Sequence, residues 1–253
     1  ITDVKPDEIY NEADQDHVRW SYDMVSYSSE ITAVAVARIL EIIKQINPKI
    51  KYFQPLTSNM FGISNVEKQN ELTQFNPQSP YAIGKTFAYY TTKYYRETFG
   101  IHASTAIFYN HESPRRTPEY VTRKITQSVA RIYLGMQKKI VLGDTSARID
   151  WGYAKDYMDA AWSMLQQKDA DDYVIGSGIA YSVRDFVDEA FSIVGLETDK
   201  YLETSQEFMR PSKTSTLIAD TSKAKKNLNF KPEIDFHNLV RIMLEEDLKN
   251  EKN

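Results

Sequence analysis

The sequence contains no cysteine, which excludes disulfide bonds and thiolate metal sites. Its four histidines show no metal-ligand spacing, so we predict no metal. It has no apolar run of membrane-spanning length and no recognisable signal peptide, so we expect a cytoplasmic protein without a membrane partner. Neither sign of charge is in large excess, because the formal net charge is -4 over 253 residues, and this predicts no nucleic-acid partner.

The segment S-P-Y-A-I-G-K at residues 79–85 combines a helix start with two chemically useful side chains. Tyr81 and Lys85 are four residues apart, so they project from one face of the predicted helix. A Lys ammonium beside a phenol stabilises the phenolate and lowers the Tyr pKa. The phenolate can then take a proton from a sugar or alcohol hydroxyl while hydride leaves the carbon. The same spacing also fits the start of an ordinary amphipathic helix, so both interpretations stand at this point.

The first half of the chain alternates strand and helix patterns. This alternation is typical of right-handed parallel crossovers, in which sites form at the carboxyl ends of the strands. Those ends carry Thr57-Ser58-Asn59 and Tyr109-Asn110-His111. The predicted strands are 8–11, 50–56 and 103–108, the helices are about 26–46 and 81–100, and a polar loop covers 62–80.

The second half shows shorter elements, which we interpret as a smaller α/β lobe. Ser182 and Asp235 are candidate N-caps for two of its helices. We predict two domains, residues 1–112 and 113–253, with some segments of the second returning to the sheet. The predicted elements are a polar basic loop at 110–116, strands at 139–142 and 173–175, and helices at 123–133 and about 156–167, 182–194 and 236–247.

Several motifs occur in a fixed order along nearly the whole chain. The narrowest are H-E-S-P-R-R at 111–116 and D-W-G-Y-A-K-D at 150–156. The others are Asn11 with His17, Thr57-Ser58, Tyr81 with Lys85, V-T-R-K-I at 121–125 and D-x-x-K-A-K at 220–225. With these motifs the chain closely resembles the GDP-mannose 4,6-dehydratases, extended short-chain dehydrogenases that act on nucleotide sugars.

The resemblance implies a fold, a cofactor and a substrate class. The fold is α/β, a Rossmann-like doubly wound parallel sheet with a smaller C-terminal substrate lobe. The cofactor is NAD or NADP, the substrate is a GDP-linked sugar, and the assembly is a homodimer or homotetramer in which the Arg115-Arg116 loop reaches a neighbouring subunit's cofactor. In the family a Gly-rich diphosphate turn precedes the segment that matches residue 1, and none of the nine glycines here forms it. We therefore expect a longer protein, or a chain that holds a dinucleotide poorly.

The resemblance also assigns roles to residues. It implies that Tyr81 is the acid/base and that Thr57 hydrogen-bonds the sugar O4. It also implies that Lys85 binds the nicotinamide ribose and lowers the Tyr81 pKa. The cofactor-binding set is Ala13, Asp14, Gln15, Asp16, Tyr27, Lys85, His111 and Arg116. The substrate-binding set is Ser58, Asn110, Lys124, Arg148 and Arg210.

Some of these residues have a structural alternative. Arg115 and Arg116 also fit a solvated basic loop, and His111 also fits a strand-end histidine bound to backbone. Asp150 and Trp151 also fit a structural corner in which the aspartate caps and the indole packs.

The sequence departs from the family where dehydration chemistry is expected. The dehydratases have Thr-Ser-Glu where this chain has Thr57-Ser58-Asn59. A carboxylate can remove the C5 proton and then help the C6 hydroxyl leave, whereas an amide has no titratable proton near neutral pH. We therefore count Asn59 among the catalytic positions. The chain departs from the family at three further positions. Ile149, before Asp-Trp, stands where the family usually has Arg, Lys213 where Glu usually follows Arg-Pro, and Asp16 replaces a Ser near the cofactor diphosphate.

Three functions compete at this stage. The first is NAD(P)-dependent oxidation at C4 of a GDP-linked hexose or heptose, without dehydration, in surface-polysaccharide synthesis. The second is the 4,6-dehydratase reaction itself, with Glu112 or Glu71 as the base. The third is a non-catalytic module that binds a sugar nucleotide.

Overall fold

A computed structural model describes residues 1–205 and 215–252 of the chain. The chain forms two compact units. The first contains Ile1–Tyr109, Met158–Ile175 and Ala219–Phe230, and the second contains Asn110–Tyr157, Gly176–Ile218 and Lys231–Asn253. Within the described ranges, no helix has the length and apolarity needed to cross a lipid bilayer.

The first unit is built on a four-stranded parallel sheet in the order β1-β2-β3-β7. The predicted α/β class with a parallel sheet is confirmed. Six consecutive residue pairs join β2 to β3, from Tyr52 opposite Ala103 to Thr57 opposite Phe108. Most residues of β2 and all of β3 are buried, as expected for inner strands of a parallel sheet. The strands are β1 (Glu8–Tyr10), β2 (Lys51–Thr57), β3 (Ala103–Phe108) and β7 (Asp172–Ile175).

The helical segment between β1 and β2 differs from the prediction of one helix beginning near residue 26. The His17 Nδ1 accepts a hydrogen bond from the Trp20 backbone N–H at 3.3 Å and caps a helix that already begins at Val18. The hydrophobic periodicity did not reveal this start because large side chains of the early turns, including Trp20 and Val25, are exposed. The segments are α1 (Val18–Asp23), α2 (Val25–Ser29), a π-helical segment (Glu30–Val34) and α3 (Ala35–Ile46).

The helix predicted from the S-P-Y motif is present as α4 (Pro80–Phe99). The Ser79 hydroxyl accepts a hydrogen bond from the Ala82 N–H at 3.2 Å, and Pro80 occupies the first turn, where its missing N–H costs nothing. Gly100 ends the helix in the left-handed conformation, with φ 67°. The cap and the terminator therefore fix the axial position of Tyr81 and Lys85.

The second unit has a core formed by α5, α7 and α9 around the buried indole of Trp151. Ser182 caps α7 in a capping box with Asp185, and the Asp235 carboxylate accepts from the Asn238 N–H to cap α9, so both predicted N-caps are confirmed. Its elements are α5 (Val121–Tyr133), α7 (Val183–Ile193), α9 (Phe236–Asn250), a β4-β6-β8 sheet and a β5-β9 pair.

The segment predicted as a basic loop from residue 110 begins as a strand instead. β4 (Asn110–Glu112) pairs in parallel with β6 (Arg148–Tyr153), and β8 (Ala180–Ser182) pairs antiparallel on the other side of β6. A three-residue strand carries too little periodicity to be recognised, and here the pairing partner stabilises it. The remaining elements are β5 (Ile140–Leu142), β9 (Leu202–Thr204), α6 (Ala154–Leu165) and α8 (Ser222–Leu228).

Candidate active site

Lys85 lies at the carboxyl ends of β1 and β2. Its Nζ is 2.6 Å from the Asp14 Oδ2, on the turn after β1, and donates to the Pro55 carbonyl of β2 at 2.9 Å. The Lys85 side chain is 4% exposed, so these contacts satisfy a nearly buried ammonium. An ammonium has three donors, and these two acceptors occupy two of them.

Asp14 is itself held by the π-helical segment. The Thr32 hydroxyl donates to the Asp14 Oδ1 at 2.6 Å, while Oδ2 faces Lys85. α4 can approach this segment because residue 84 is glycine. A Cβ at Gly84 would lie 3.2 Å from the Thr32 Cγ2, which is closer than most real Cβ contacts. Gly84 therefore allows Thr32, Asp14 and Lys85 to form one connected set.

Tyr81 lies on the same helix face as Lys85. The Lys85 Nζ is 5.7 Å from the centroid of the Tyr81 ring, and Tyr81 is buried. The structure thus brings the predicted phenol and ammonium together, within a distance at which the positive charge acts on the ring. This arrangement can stabilise a phenolate and so lower the barrier to proton transfer from an alcohol.

Thr57 ends β2, and Asn59 lies in the 3₁₀ turn Ser58–Met60 that follows. The Thr57 Oγ1 accepts two hydrogen bonds, from the Asn59 backbone N–H at 3.2 Å and from the Asn59 Nδ2 at 3.2 Å. Thr57 and Ser58 are buried. With its lone pairs occupied in this way, the Thr57 hydroxyl is left to donate its proton to an acceptor outside the turn.

The predicted cofactor residues of the turn after β1 occupy different environments. Gln15 is buried, and its side chain donates to the His17 carbonyl at 3.2 Å and accepts from the Ser28 hydroxyl at 3.0 Å. It therefore ties the turn to α2. Ala13 and Asp16 are exposed, and Tyr27 on α2 is 56% exposed.

Sequence reasoning missed the ion pair between Asp14 and Lys85 and the neighbouring carboxylate of Glu12. Burial among protein atoms raises the pKa of Glu12, the Lys85 ammonium opposes that shift, and the Asp14 carboxylate adds to it. The available signal was the spacing of the acidic residues, since Glu12, Asp14 and Asp16 alternate along the turn after the first strand. Nothing in the neighbouring sequence indicated that they contact a lysine about seventy residues away.

Glu71, one of the two carboxylates proposed as a base, supports the sheet. One of its carboxylate oxygens accepts a hydrogen bond from the Val174 N–H of β7 at 2.8 Å. Burial raises the pKa of Glu71, and the Val174 hydrogen bond opposes that shift. Glu71 therefore satisfies a backbone donor on the outer edge of β7.

Glu112, the other proposed base, belongs to a buried cluster in the second unit. It accepts from the Thr122 hydroxyl at 2.8 Å, and its Oε2 is 3.3 Å from the Arg116 Nε. Burial raises the pKa of Glu112, whereas Arg116 and the Thr122 hydrogen bond lower it. The Arg116 guanidinium also stacks 3.4 Å above the centroid of the Tyr120 ring. Arg116 is thus a bound side chain and not a solvated one.

Arg123 fixes the backbone of the same loop. Its guanidinium donates to the carbonyls of Pro114 and Arg116, and its NH2 group is 2.7 Å from the Asp247 carboxylate of α9. The H-E-S-P-R-R segment is therefore clamped between α5 and α9. Sequence reasoning did not anticipate this role for Arg123.

The other predicted residues of the second unit are dispersed over several elements. The His111 ring packs against the tilted ring of Tyr157 with the centroids 5.1 Å apart, and Asn110 is exposed at the start of β4. The Lys124 Nζ donates to the Val141 carbonyl at 2.8 Å, and burial lowers the Lys124 pKa. The Arg148 guanidinium donates to the Ala180 carbonyl at 2.5 Å. Arg210, like Lys213, lies outside the described residues.

Asp150 and Trp151 have the structural role considered above as an alternative. The Asp150 carboxylate accepts from the backbone N–H groups of Ser177 and Gly178 at 2.8 and 2.9 Å and from the Ser177 hydroxyl at 2.6 Å. The Trp151 ring packs on Phe186 and Phe236. The interpretation of this pair as a structural corner is confirmed.

Comparison with known proteins identifies the family. The sequence profile of GDP-mannose 4,6 dehydratase matches residues 1–243. The chain belongs to the GDP-mannose 4,6-dehydratase family. It is 43% identical over 250 residues to GDP-mannose 4,6 dehydratase 1 of Arabidopsis thaliana, covering 97% of this chain and 69% of that protein. It is 39% identical over 269 residues to the GDP-mannose 4,6 dehydratase of Homo sapiens, covering 98% and 72%. The predicted family is confirmed.

Solved structures share the fold at low sequence identity. RMD from Pseudomonas aeruginosa, complexed with NADPH, superposes with a TM-score of 0.89 at 19% identity, over 97% of this chain and 82% of that chain. The dTDP-glucose 4,6-dehydratase from Bacillus anthracis, in complex with NAD, gives 0.85 at 20% identity, over 100% and 76%. These matches confirm the Rossmann-like α/β fold.

Proposed function

We propose that this protein oxidises C4 of a GDP-linked hexose or heptose with NAD or NADP and does not efficiently eliminate water. The observation that carries the proposal is the Lys85 ammonium beside the Tyr81 ring, together with an amide, and not a carboxylate, bonded to Thr57 at Asn59. Membership of the GDP-mannose 4,6-dehydratase family supports the substrate class. Surface-polysaccharide synthesis would be the route that uses such a product.

The proposed chemistry assigns a task to each side chain. The Tyr81 phenolate accepts the proton of the C4 hydroxyl, and the Lys85 ammonium stabilises the phenolate beforehand. Thr57 donates a hydrogen bond to the sugar O4 and fixes its orientation. A bound nicotinamide dinucleotide supplies the hydride acceptor.

The donors and acceptors around Lys85 fit a ribose hydroxyl. Lys85 retains one N–H after its bonds to Asp14 and Pro55, and a hydroxyl can accept it. The neighbouring Asp14 carboxylate can accept a hydrogen bond from the same ribose hydroxyl. The carboxyl ends of parallel strands are also where nucleotides bind in this class of fold.

The cations of the second unit are proposed as binders of phosphate groups. Arg116 and His111 are assigned to the cofactor, and Lys124, Arg148 and Arg210 to the GDP moiety with Ser58 and Asn110. The support is chemical, because guanidinium and ammonium groups suit diphosphate oxygens. Arg116 and Lys124 already have protein partners, which would preorganise them.

Family membership favours a second candidate, the complete 4,6-dehydratase reaction. That reaction needs a titratable group to remove the C5 proton. Glu71 accepts the Val174 N–H, and Glu112 is held by Thr122 and Arg116, so both carboxylates already serve a structural contact. These structural contacts, together with the amide at Asn59, are what supports oxidation without elimination.

The deciding experiment is the mass of the product formed by the full-length protein from GDP-mannose and from a GDP-heptose. We expect a sugar that is two hydrogens lighter, together with an absorbance rise from the reduced nicotinamide. A product that has lost water instead would establish the dehydratase reaction. Tight binding of the GDP-sugar without any bound or bindable dinucleotide would favour the non-catalytic module.

We further propose that the protein forms a homodimer or homotetramer through α4. Four large apolar side chains at helical spacing line one exposed stripe of this helix, and a shallow groove runs along them. The members are Ile83, Phe87, Tyr90 and Tyr94, with exposed fractions of 48–59%. Water contact with this apolar area is unfavourable, and a second copy presenting the same stripe would cover it.

A charge in this stripe should dissociate the assembly. In Phe87→Glu, we expect the sedimentation coefficient to fall to that of a monomer at low micromolar concentration, because burying an unpaired carboxylate opposes association. Leu72→Glu is the matched control, since Leu72 is 93% exposed in a loop of the same unit. Unchanged sedimentation of Phe87→Glu would show that α4 is not the interface.

A further inference from the structure

The contact between Asp14 and Lys85 places a full negative charge beside the ammonium that serves Tyr81. The carboxylate oxygen and Nζ are 2.6 Å apart, and Lys85 is almost completely shielded from water. At this distance and burial the attraction is little screened by solvent. The positive charge that reaches Tyr81 is therefore partly offset by Asp14.

We propose that Asp14 is the positioning residue of Lys85, fixing the ammonium between β1 and β2 and reducing the charge that Lys85 presents to Tyr81. The inference rests on the proposed C4 oxidation. Asp14 is suited to the task because Thr32 holds its other oxygen, so the carboxylate cannot rotate away without losing a 2.6 Å hydrogen bond. With Pro55 as the second acceptor, Lys85 has a defined position between two strand ends.

Within the described part of the chain, few ionisable groups face Lys85. Glu12 and Asp14 approach it from the turn after β1, Tyr81 from α4, and β2 contributes the neutral Pro55 carbonyl. Ionisable side chains on the other elements packed against α4 have other partners or lie in solvent. On α3 and the π-helical segment, Glu30 pairs with Arg38, Lys44 lies over the Phe99 ring and Glu41 is near Tyr95. On β2, Lys51 bonds the Leu165 carbonyl and the Tyr52 hydroxyl donates to the Gln54 side chain. On the first helices, His17 caps α1, Tyr22 bonds the Gln78 carbonyl, and Arg19, Asp23 and Tyr27 are exposed.

The first test is a double-mutant cycle on stability, which does not depend on activity. We expect Asp14→Asn and Lys85→Met each to lower the Tm by roughly 5–10 °C, because each leaves one buried charge without its partner. The double variant should lose clearly less than the sum of the two. Asp23→Asn removes the same charge from an exposed site and should leave the Tm unchanged. Additive losses would overturn the inference.

The second test is the pH dependence of kcat/KM for sugar oxidation. In Asp14→Asn the undiminished Lys85 charge stabilises the phenolate, so the rise in rate with pH should move to lower pH by about one unit. Asp23→Asn should keep the original profile. If Asp14→Asn does not fold, Thr32→Val frees Asp14 and should shift the profile in the same direction by less. A profile unmoved in both variants would overturn the inference.

The two tests also separate this inference from the proposed function. A wild-type protein that binds dinucleotide but oxidises no sugar would refute the C4 oxidation and, with it, the influence of Asp14 on Tyr81. The stability cycle would still decide whether Asp14 positions Lys85. Sugar oxidation with an unshifted profile would leave the proposed function intact and refute the inference alone.

Discussion

Asn59→Glu should convert the oxidation product into a 4-keto sugar that has lost water, with a gain in elimination rate of about 10²–10⁴-fold. Glutamate at this position supplies the titratable carboxyl that elimination needs at C5 and C6. Asn59 follows the end of β2 by two residues, in a turn whose backbone N–H is already bonded to Thr57. This backbone bond survives the substitution, whereas the bond from the Asn59 Nδ2 to the Thr57 Oγ1 is lost.

The measurement compares product masses and rates for the wild type, Asn59→Glu and Asn59→Gln. Glutamine has the same size as glutamate but no titratable proton, so Asn59→Gln should eliminate no faster than the wild type. Running the reaction in deuterium oxide adds a second readout, since protonation of the eliminated product introduces solvent deuterium at C5. Wild-type elimination that Asn59→Glu does not accelerate would show that another base serves the site.

The catalytic helix was predictable because its signals are local. Ser79, Pro80 and Gly100 mark the ends of α4 through capping and backbone conformation, and the spacing of Tyr81 and Lys85 follows from the helix itself. The strand predicted at 103–108 is present with the same bounds as β3, because its β-branched and aromatic residues Thr105, Ile107 and Phe108 favour a strand. Such features depend on a few neighbouring residues.

The surroundings of Lys85 were not predictable because they join distant segments. Asp14, Thr32 and Pro55 come from a turn, a π-helical segment and a strand. Only the folded chain brings Asp14 and Pro55 to the Lys85 ammonium and Thr32 to Asp14. The same holds for Arg123, whose partners lie on a loop and on α9. Short strands such as β4 form through pairing with a remote partner, so their own sequences carry little signal.

Tyr81→Phe should lower kcat for C4 oxidation by about 10²–10⁴-fold, because it removes the group that accepts the hydroxyl proton. The ring is kept, so packing in this buried position is largely preserved. Affinity for the GDP-sugar should change little, since the phenol oxygen acts mainly in the transition state. Stopped-flow absorbance of the reduced nicotinamide, with calorimetric titration of the GDP-sugar, measures both quantities.

Tyr133→Phe is the matched control for this variant. Tyr133 ends α5 and is 52% exposed, so loss of its hydroxyl should leave kcat unchanged. If Tyr81→Phe retains the wild-type rate, Tyr81 is not the acid/base, and its position marks only the amphipathic start of α4. If the rate falls while binding persists, the phenol and ammonium seen 5.7 Å apart act together in proton transfer. In that case Asp14, through its effect on Lys85, modulates the same proton-transfer step.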